Sequence, residues 1–441
     1  MKPVLAPTVL GLLITALIAP VNSAPVERPN IVLIMVDDFG YECVGADGSA
    51  DYRTPNIDRL AAEGMRFEHC HVQPLCTPTR VQLMTGLYNA RNYAGFGVLP
   101  RRETTFANRF REAGYATGIA GKWQLGHELD SPRHFGFDES CLWQHTRRPP
   151  RYANPGLEFN GVPKDYAHGE YAPDLVNAWA LDFIARHREG PFLLYYPMIL
   201  THAPFQPTPD SPDWDPKAKG EQVNRNTRHF AEMVTYTDKL VGRVVEALAQ
   251  HGLREKTLLI FLGDNGTLGT ITSRMRDGTT IQGGKAKSTA AGTHVPLIVN
   301  WPGVVPAGRV NEDLVNSTDF YPTLCEATGI PLPETPAMDG VSFWPQLQGK
   351  AGTPRELMYL WFSRNGGAKP THEFAATKRF KLYRDGSFYD YLADPLEESP
   401  LNPATLRPEA KATWTKLSAE LARMQDARPA FLTAEAGSET P

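Results

Sequence analysis

Three apolar runs in this 441-residue chain end in groups able to hold a cation or move a proton. Asn30-Ile31-Val32-Leu33-Ile34-Met35-Val36 leads into Asp37-Asp38, Phe192 to Met198 into Thr201-His202, and Thr257 to Leu262 into Gly263-Asp264-Asn265. Asp37, Asp38, Asp264 and Asn265 make an all-oxygen donor set. Such a set suits a hard divalent cation, calcium before magnesium. Asp-Asp and Asp-Asn pairs standing alone are commonly turn residues; their shared placement after buried runs is what argues for one site. A second cluster of chemistry is Cys76-Thr77-Pro78-Thr79-Arg80, a cysteine carrying Pro and Arg at fixed spacing.

The elements that position these groups follow from the pattern. Each run is short and continuously apolar, as a strand covered on both faces should be. Between the runs lie helical stretches. One is Pro55 to Ala62 with Thr54 as cap; another carries Phe230, Val234, Leu240, Val241, Val244, Val245 and Leu248 at helical spacing before Gly252. Alternating strands and helices imply an α/β fold with a largely parallel central sheet flanked by helices. Ligands bind at the carboxyl ends of such strands, where Asp37, His202 and Asp264 emerge.

Past about residue 335 a stretch with Pro331, Pro333 and Pro336 gives way to strand-like runs at Leu357 to Phe362, Glu373 to Tyr383 and Ser387 to Tyr391, then a helix from about Pro408 to Met424. The reading is a catalytic domain over residues 25–335, a smaller C-terminal α+β domain with a short antiparallel sheet over 336–430, and a loose tail over 431–441. Residues 1–24 begin with Lys2, continue apolar through Val9 to Ala19, and end in Val21-Asn22-Ser23-Ala24. This is the layout of a cleaved signal peptide, so a secreted or periplasmic location is expected. No later segment is long and apolar enough to span a bilayer, so no stable membrane insertion is expected.

The C-x-P-x-R segment and the following Leu83-Met84-Thr85-Gly86-Leu87 resemble the signature of type I sulfatases, members of the alkaline phosphatase-like superfamily. The resemblance extends to Pro29-Asn30 through Asp37-Asp38-Phe39-Gly40, Thr54-Pro55-Asn56-Ile57-Asp58-Arg59-Leu60-Ala61, Gly121-Lys122-Trp123, Thr201-His202-Ala203-Pro204, Gly263-Asp264-Asn265-Gly266, Gly283-Gly284-Lys285 with Val295-Pro296, Asp319-Phe320-Tyr321-Pro322-Thr323-Leu324, and Tyr389-Asp390 with Asp394-Pro395. Any one segment alone says little; together they span nearly the whole chain in the family's order.

The resemblance implies an alkaline phosphatase-like sandwich and hydrolysis of a sulfate ester. In that family Cys76 would be oxidised to formylglycine by a formylglycine-generating or anaerobic maturation enzyme. A serine attacking sulfur would be left as a stable sulfate ester, whereas a hydrated aldehyde attacks through one hydroxyl and ejects sulfate through the other. One calcium ion would be held by Asp37, Asp38, Asp264, Asn265 and the residue derived from Cys76. Arg80 would steady the diol and sulfate, and Lys122, Lys285 and His202 match the family's sulfate-binding and leaving-group residues. Lys287 is a nearby competitor, but Lys285 keeps the family's spacing to Val295-Pro296.

Three positions depart from the family pattern. Thr79 stands where Ser or Ala is common, and Gln124 stands where His is common. Ala290-Ala291-Gly292-Thr293-His294 replaces the usual Glu-Gly-Gly-x-Arg. Glutamine cannot accept a proton, so Asp264 or a repositioned His127 is left as substitute base. These variants look similar to sulfatases of polysaccharide-degrading bacteria, which points to a sulfated saccharide, or an aryl sulfate, as substrate. Arg147, Arg148 and Arg151 with Trp143, and His372 from the second domain, are candidate contacts to an acidic sugar, with solvated surface charge as the plainer reading.

Composition narrows the alternatives. Charged residues make up 21% and hydrophobic ones 41%, and the formal charge is −4, which gives no broad field to attract nucleic acid. Five cysteines (Cys43, Cys70, Cys76, Cys141 and Cys325) show no C-x-x-C spacing, which leaves zinc-ribbon and thioredoxin-like chemistry without support. An odd count in an exported chain leaves at least one thiol unpaired, and Cys76 is the candidate withheld from disulfides. Two other functions fit the same fold: a phosphoester or phosphonate hydrolase, and a catalytically inactive, calcium-dependent glycan-binding homologue.

Overall fold

The computed structural model describes residues 28–218 and 227–435; the expected signal peptide, residues 1–24, lies outside them. In chain order the strands are β1 (Asn30–Val36), β2 (Met65–His71), β3 (Ala116–Lys122), β4 (Glu139–Trp143), β5 (Gly156–Phe159), β6 (Val162–Asp165), β7 (Phe192–Pro197) and β8 (Thr257–Gly263). A hairpin of β9 (Thr272–Arg274) and β10 (Thr280–Gln282) follows, then β11 (Leu297–Asn300) and β12 (Arg309–Asn316). Last come β13 (Met358–Phe362), β14 (His372–Ala376), β15 (Phe380–Tyr383) and β16 (Phe388–Asp390).

One large sheet runs β12-β2-β11-β8-β1-β7-β3-β4-β5-β6. Its centre, from β8 through β1, β7 and β3 to β4, is parallel throughout. Toward the flanks, β11 runs antiparallel to β8 and β2, and β5 and β6 form an antiparallel edge. The apolar runs read from the sequence are β1, β7 and β8, side by side. Along β1, Ile31, Leu33 and Met35 join one apolar cluster while Val32, Ile34 and Val36 join another. Both faces are therefore dry, which is why β1 shows no polar alternation.

Helices Phe106–Glu112 and Phe320–Thr328 cover the first face. Helices Pro55–Ala62, Ala172–Arg186 and Phe230–Gln250 cover the second. The C-terminal sheet is antiparallel in the order β13-β14-β15-β16. Tyr359 and Trp361 pack with Leu417 and Leu421 of helix Pro408–Arg423. Met358, Leu360 and Phe362 point the other way and cluster with Leu75 and Cys76. The second sheet thus seals one side of Cys76.

Several local expectations are corrected. The run Glu373 to Tyr383 is two strands, because Thr377 and Phe380 close a turn between them: the Thr377 amide donates to the Phe380 carbonyl at 2.9 Å. Thr54 occupies the cap position, but its hydroxyl accepts from the Gly45 amide at 2.8 Å and donates to Asp58 at 2.9 Å instead of capping the helix. The segment expected as a loose tail begins with a helix, Ala430–Glu435, since Leu432 is buried and Phe431 stacks on Arg102. Among the described residues no helix is long and apolar enough to cross a membrane, and all five cysteines are buried free thiols.

Candidate active site and metal centre

Helix Cys76–Thr85 begins at Cys76, after extended Leu75, and ends at Gly86, whose left-handed backbone (φ 69°) lets its amide reach the Gln82 carbonyl. Pro78 falls in the first turn, where a missing N–H costs nothing. Thr79 is buried, its hydroxyl 3.1 Å from the Gln73 and Leu75 carbonyls, so it serves the helix start and not the reacting centre. Cys76 and Arg80 are four residues apart and share one helix face. Arg80 is fully enclosed: one guanidinium nitrogen donates to the Lys122 carbonyl at 3.0 Å and another to Asp264 Oδ2 at 3.1 Å, while Nε has no partner.

The strand ends supply the rest. Asp37 and Asp38 leave β1, and Asp264 and Asn265 leave β8, its parallel neighbour. The Asp38 amide donates to Asp264 Oδ1 at 3.0 Å, and Asn265 Nδ2 donates to Asp38 Oδ1 at 2.9 Å. Past β7 the chain folds back on β1, with the Thr201 amide on the Asp37 carbonyl at 2.7 Å, which brings His202 Nε2 to 3.8 Å from Asp38 Oδ2. Lys122 ends β3, where Gly121 has φ 128° and a Cβ would lie 1.9 Å from the Pro197 carbonyl oxygen, so only glycine lets β3 and the end of β7 meet here. Lys122 Nζ donates to Asp37 Oδ2 at 2.8 Å, and Lys285 Nζ to Asp38 Oδ2 at 2.7 Å. Lys287, the competitor, is exposed.

All nine residues expected at the site therefore converge. Ligand atoms of Cys76, Asp37 and Asp264 lie within 4.8 Å of one another, as do those of Asp37, Asp38 and His202. Arg151, expected at the surface, is instead buried here: Nη1 reaches Asp37 Oδ2 at 3.3 Å, and the guanidinium lies 4.1 Å over the Trp143 ring. Next to it, the Tyr152 hydroxyl donates to the Ile199 carbonyl at 3.2 Å and to the His202 carbonyl, holding the segment that carries the imidazole. Arg147 does stay outside, paired with Asp165. Arg148 is exposed, and His372 is stacked on Phe362 beside a surface cleft.

Gln124 is the other arrival. It adopts a left-handed backbone (φ 54°), and its Oε1 accepts from Cys76 Sγ at 3.0 Å. His127 is turned away, with Nδ1 against the His145 carbonyl at 2.9 Å. His294, in place of the family's arginine, stacks between Tyr41 and His71.

Three carboxylates thus face four side-chain cations, Arg80, Lys122, Arg151 and Lys285, an excess of positive charge that suits an anionic ligand. Burial raises Asp37, but Lys122, His202, Arg151 and Arg80 outweigh it and hold the carboxyl well below its usual range. Asp264, buried and close to Asp37, is pushed up to about 7 despite Arg80. Burial and then Arg151 lower His202 to about 3, so its imidazole is neutral. Burial would lower Lys285, yet Asp38 raises it above its ordinary value and keeps it charged.

A divalent cation fits this donor set. Asp37, Asp38 and Asp264 offer hard oxygens, and Asn265 Oδ1 is enclosed with no hydrogen-bond partner while its Nδ2 is fully engaged. A cation here would also relieve the crowding that raises Asp264.

Comparison with known proteins agrees with this chemistry. A family model described as Sulfatase matches residues 29–330, and one described as N-sulphoglucosamine sulphohydrolase, C-terminal, matches residues 289–427. Human arylsulfatase A is 33% identical over 77% of this chain and 71% of its own length. The N-acetylgalactosamine-6-sulfatase of Canis lupus familiaris is 31% identical over 81% of this chain and 74% of its own. Among solved structures, Ps i-CgsB in complex with k-i-k-neocarrahexaose superimposes with a TM-score of 0.76 at 25% identity, covering 91% of this chain and 94% of that one.

Proposed function

Because the chain belongs to the sulfatase family and is a sulfuric ester hydrolase, we propose that its substrate is a sulfated carbohydrate, cleaved at the site around Cys76. The names of two relatives support the sugar: an N-acetylgalactosamine-6-sulfatase and a structure bound to a neocarrahexaose. The observation that carries the assignment of the site is the meeting of Cys76, Asp37 and Asp264 within 4.8 Å among three buried cations, Arg80, Lys122 and Arg151, and the partly buried Lys285.

Converted to formylglycine and hydrated, residue 76 supplies a nucleophilic hydroxyl that leaves no stable ester behind. Asp37, Asp38, Asp264 and Asn265 would hold a calcium ion, which would supply charge neutralisation for the sulfate and favour loss of that hydroxyl's proton. Arg80, Lys122 and Arg151 bind sulfate oxygens and stay protonated as charge develops at the departing oxygen. Lys285 donates the proton to the leaving alkoxide, since His202 is neutral at working pH. His202 Nδ1 lies 2.5 Å from the Ala203 carbonyl, so that nitrogen carries the proton and Nε2 is an acceptor facing the site. Gln124 orients the group at residue 76 through its amide oxygen but takes no proton. Asp264, raised to about 7 and within 4.8 Å of residue 76, accepts it.

In this reading residues 25–335 are the catalytic domain, and the C-terminal domain, residues 336–430, closes the site from one side. The signal-like residues 1–24 support export to the periplasm or the medium. The test is turnover on matched aryl sulfate and aryl phosphate. Sulfate release well above phosphate release supports the assignment. Phosphate preference favours the phosphoester reading, and tight binding of a sulfated sugar without turnover, after coexpression with the maturation enzyme, favours the glycan-binding one.

A further inference from the structure

Thr267 sits where three segments of the site meet. Its hydroxyl accepts from the Gly40 amide at 3.2 Å and donates to the Glu42 carboxylate, and its carbonyl accepts from the Lys285 amide at 3.0 Å. Gly40 lies two residues past Asp38, and Thr267 two past Asn265. The hydroxyl therefore ties together the two turns that carry the proposed calcium ligands. A second tie runs beside it, from the Phe39 amide to the Asn265 carbonyl at 2.9 Å.

The tie is enclosed. Glu42 is 1% exposed and Thr267 0%, and Cys43 Sγ lies 3.6 Å from the Thr267 hydroxyl. Gly40 has an ordinary extended backbone (φ −75°), yet a Cβ there would sit 2.1 Å from Glu42 Oε2. Glycine here thus leaves room for the Glu42 carboxyl, which a Cβ would displace, and is not demanded by the turn. That same Oε2 has no hydrogen-bond partner. Burying an ungratified carboxyl oxygen is unfavourable, and an apolar side chain would fill the space without that cost. The arrangement is explained if the carboxyl is there to hold the Thr267 hydroxyl in one orientation.

We propose that Glu42 and Thr267 are positioning residues that set the affinity of the divalent-cation site by fixing the spacing of the Asp38 and Asn265 turns. The proposal rests on the reading of Asp37, Asp38, Asp264 and Asn265 as calcium ligands. Groups that orient metal ligands from behind alter affinity by about 10- to 100-fold when removed.

The experiment is calcium titration of the metal-stripped full-length protein by calorimetry. Thr267→Val keeps the shape and removes the hydroxyl; its Kd for calcium should rise about tenfold or more. Thr267→Ser keeps the hydroxyl and should stay within about twofold, as should Glu42→Gln, which keeps an acceptor oxygen. Glu42→Ala should weaken calcium as Thr267→Val does, and it carries the test should the valine variant fail to fold. A role in folding alone would lower the metal-free thermal midpoint and leave Kd unchanged, which would overturn the proposal. Wild-type protein that binds no calcium would overturn the ligand assignment first, and this inference with it.

Discussion

Asn265 gives its side-chain amide to Asp38 Oδ1 at 2.9 Å and leaves its own Oδ1 buried without a partner. An oxygen held in place and left unused is poised to ligate a cation. Chelation should therefore lower thermal stability and sulfatase turnover together, with calcium restoring both. At calcium a thousandfold above Kd the stabilisation is about 4 kcal/mol. In Asn265→Ala the calcium-dependent rise in thermal midpoint, followed by scanning calorimetry, should shrink; an unchanged rise would remove Asn265 from the ligand set.

Gln124 contacts Cys76 Sγ through an oxygen that cannot take a proton. Histidine tolerates the left-handed backbone at this position better than most residues. In Gln124→His the pH profile of kcat should gain a further titration near 6.5, the ordinary histidine value, beside the limb near 7 that Asp264 gives the wild type. Superimposable profiles would show that position 124 plays no part in proton transfer.

Arg151 and Arg147 are four residues apart and have opposite surroundings. Arg151 shares Asp37 Oδ2 with Lys122 inside the site, whereas Arg147 pairs with Asp165 at the surface. Arg151→Gln should reduce kcat/KM by about a hundredfold, the usual cost of losing a buried group that stabilises developing charge. Arg147→Gln should stay within about twofold. Equal effects in steady-state assays would contradict the placement.

The stability contributed by two buried, neutral histidines should fall in mild acid. Burial and neighbouring histidines depress His71 well below its ordinary value and His294 to about 4. Between pH 6.5 and 4 the unfolded chain binds protons that the folded chain does not, so stability is complete above 6.5 and declines as the pH drops through that window. For His294 the loss over that window is on the order of 3 kcal/mol. On going from pH 7.5 to 5.0 the thermal midpoint of His294→Gln should shift less toward instability than that of the wild type, a difference of a few degrees.

Much of this was legible in the chain because the site hangs on strands buried on both faces. β1, β7 and β8 announce themselves as unbroken apolar runs, and the polar pairs just past them were bound to share one edge of the sheet. Arg151 was not legible. It sits in a run with Arg147 and Arg148 that reads as solvated charge, and only the fold carries it 114 positions back to Asp37. Trp143, the ring it stacks on, was the one local signal. The Glu42–Thr267 tie spans 225 positions and leaves no periodic trace. The turn that splits β14 from β15 was missed because Thr377, Lys378 and Arg379 include neither glycine nor proline.

On the proposed mechanism the working group at position 76 is an aldehyde and no longer a thiol. Trypsin releases residues 67–80 as one peptide, which contains both Cys70 and Cys76. In preparations active on aryl sulfate, mass spectrometry after alkylation should find a single alkylated thiol, at Cys70, and an aldehyde at position 76. Two alkylated thiols in that peptide throughout a fully active preparation would contradict the account.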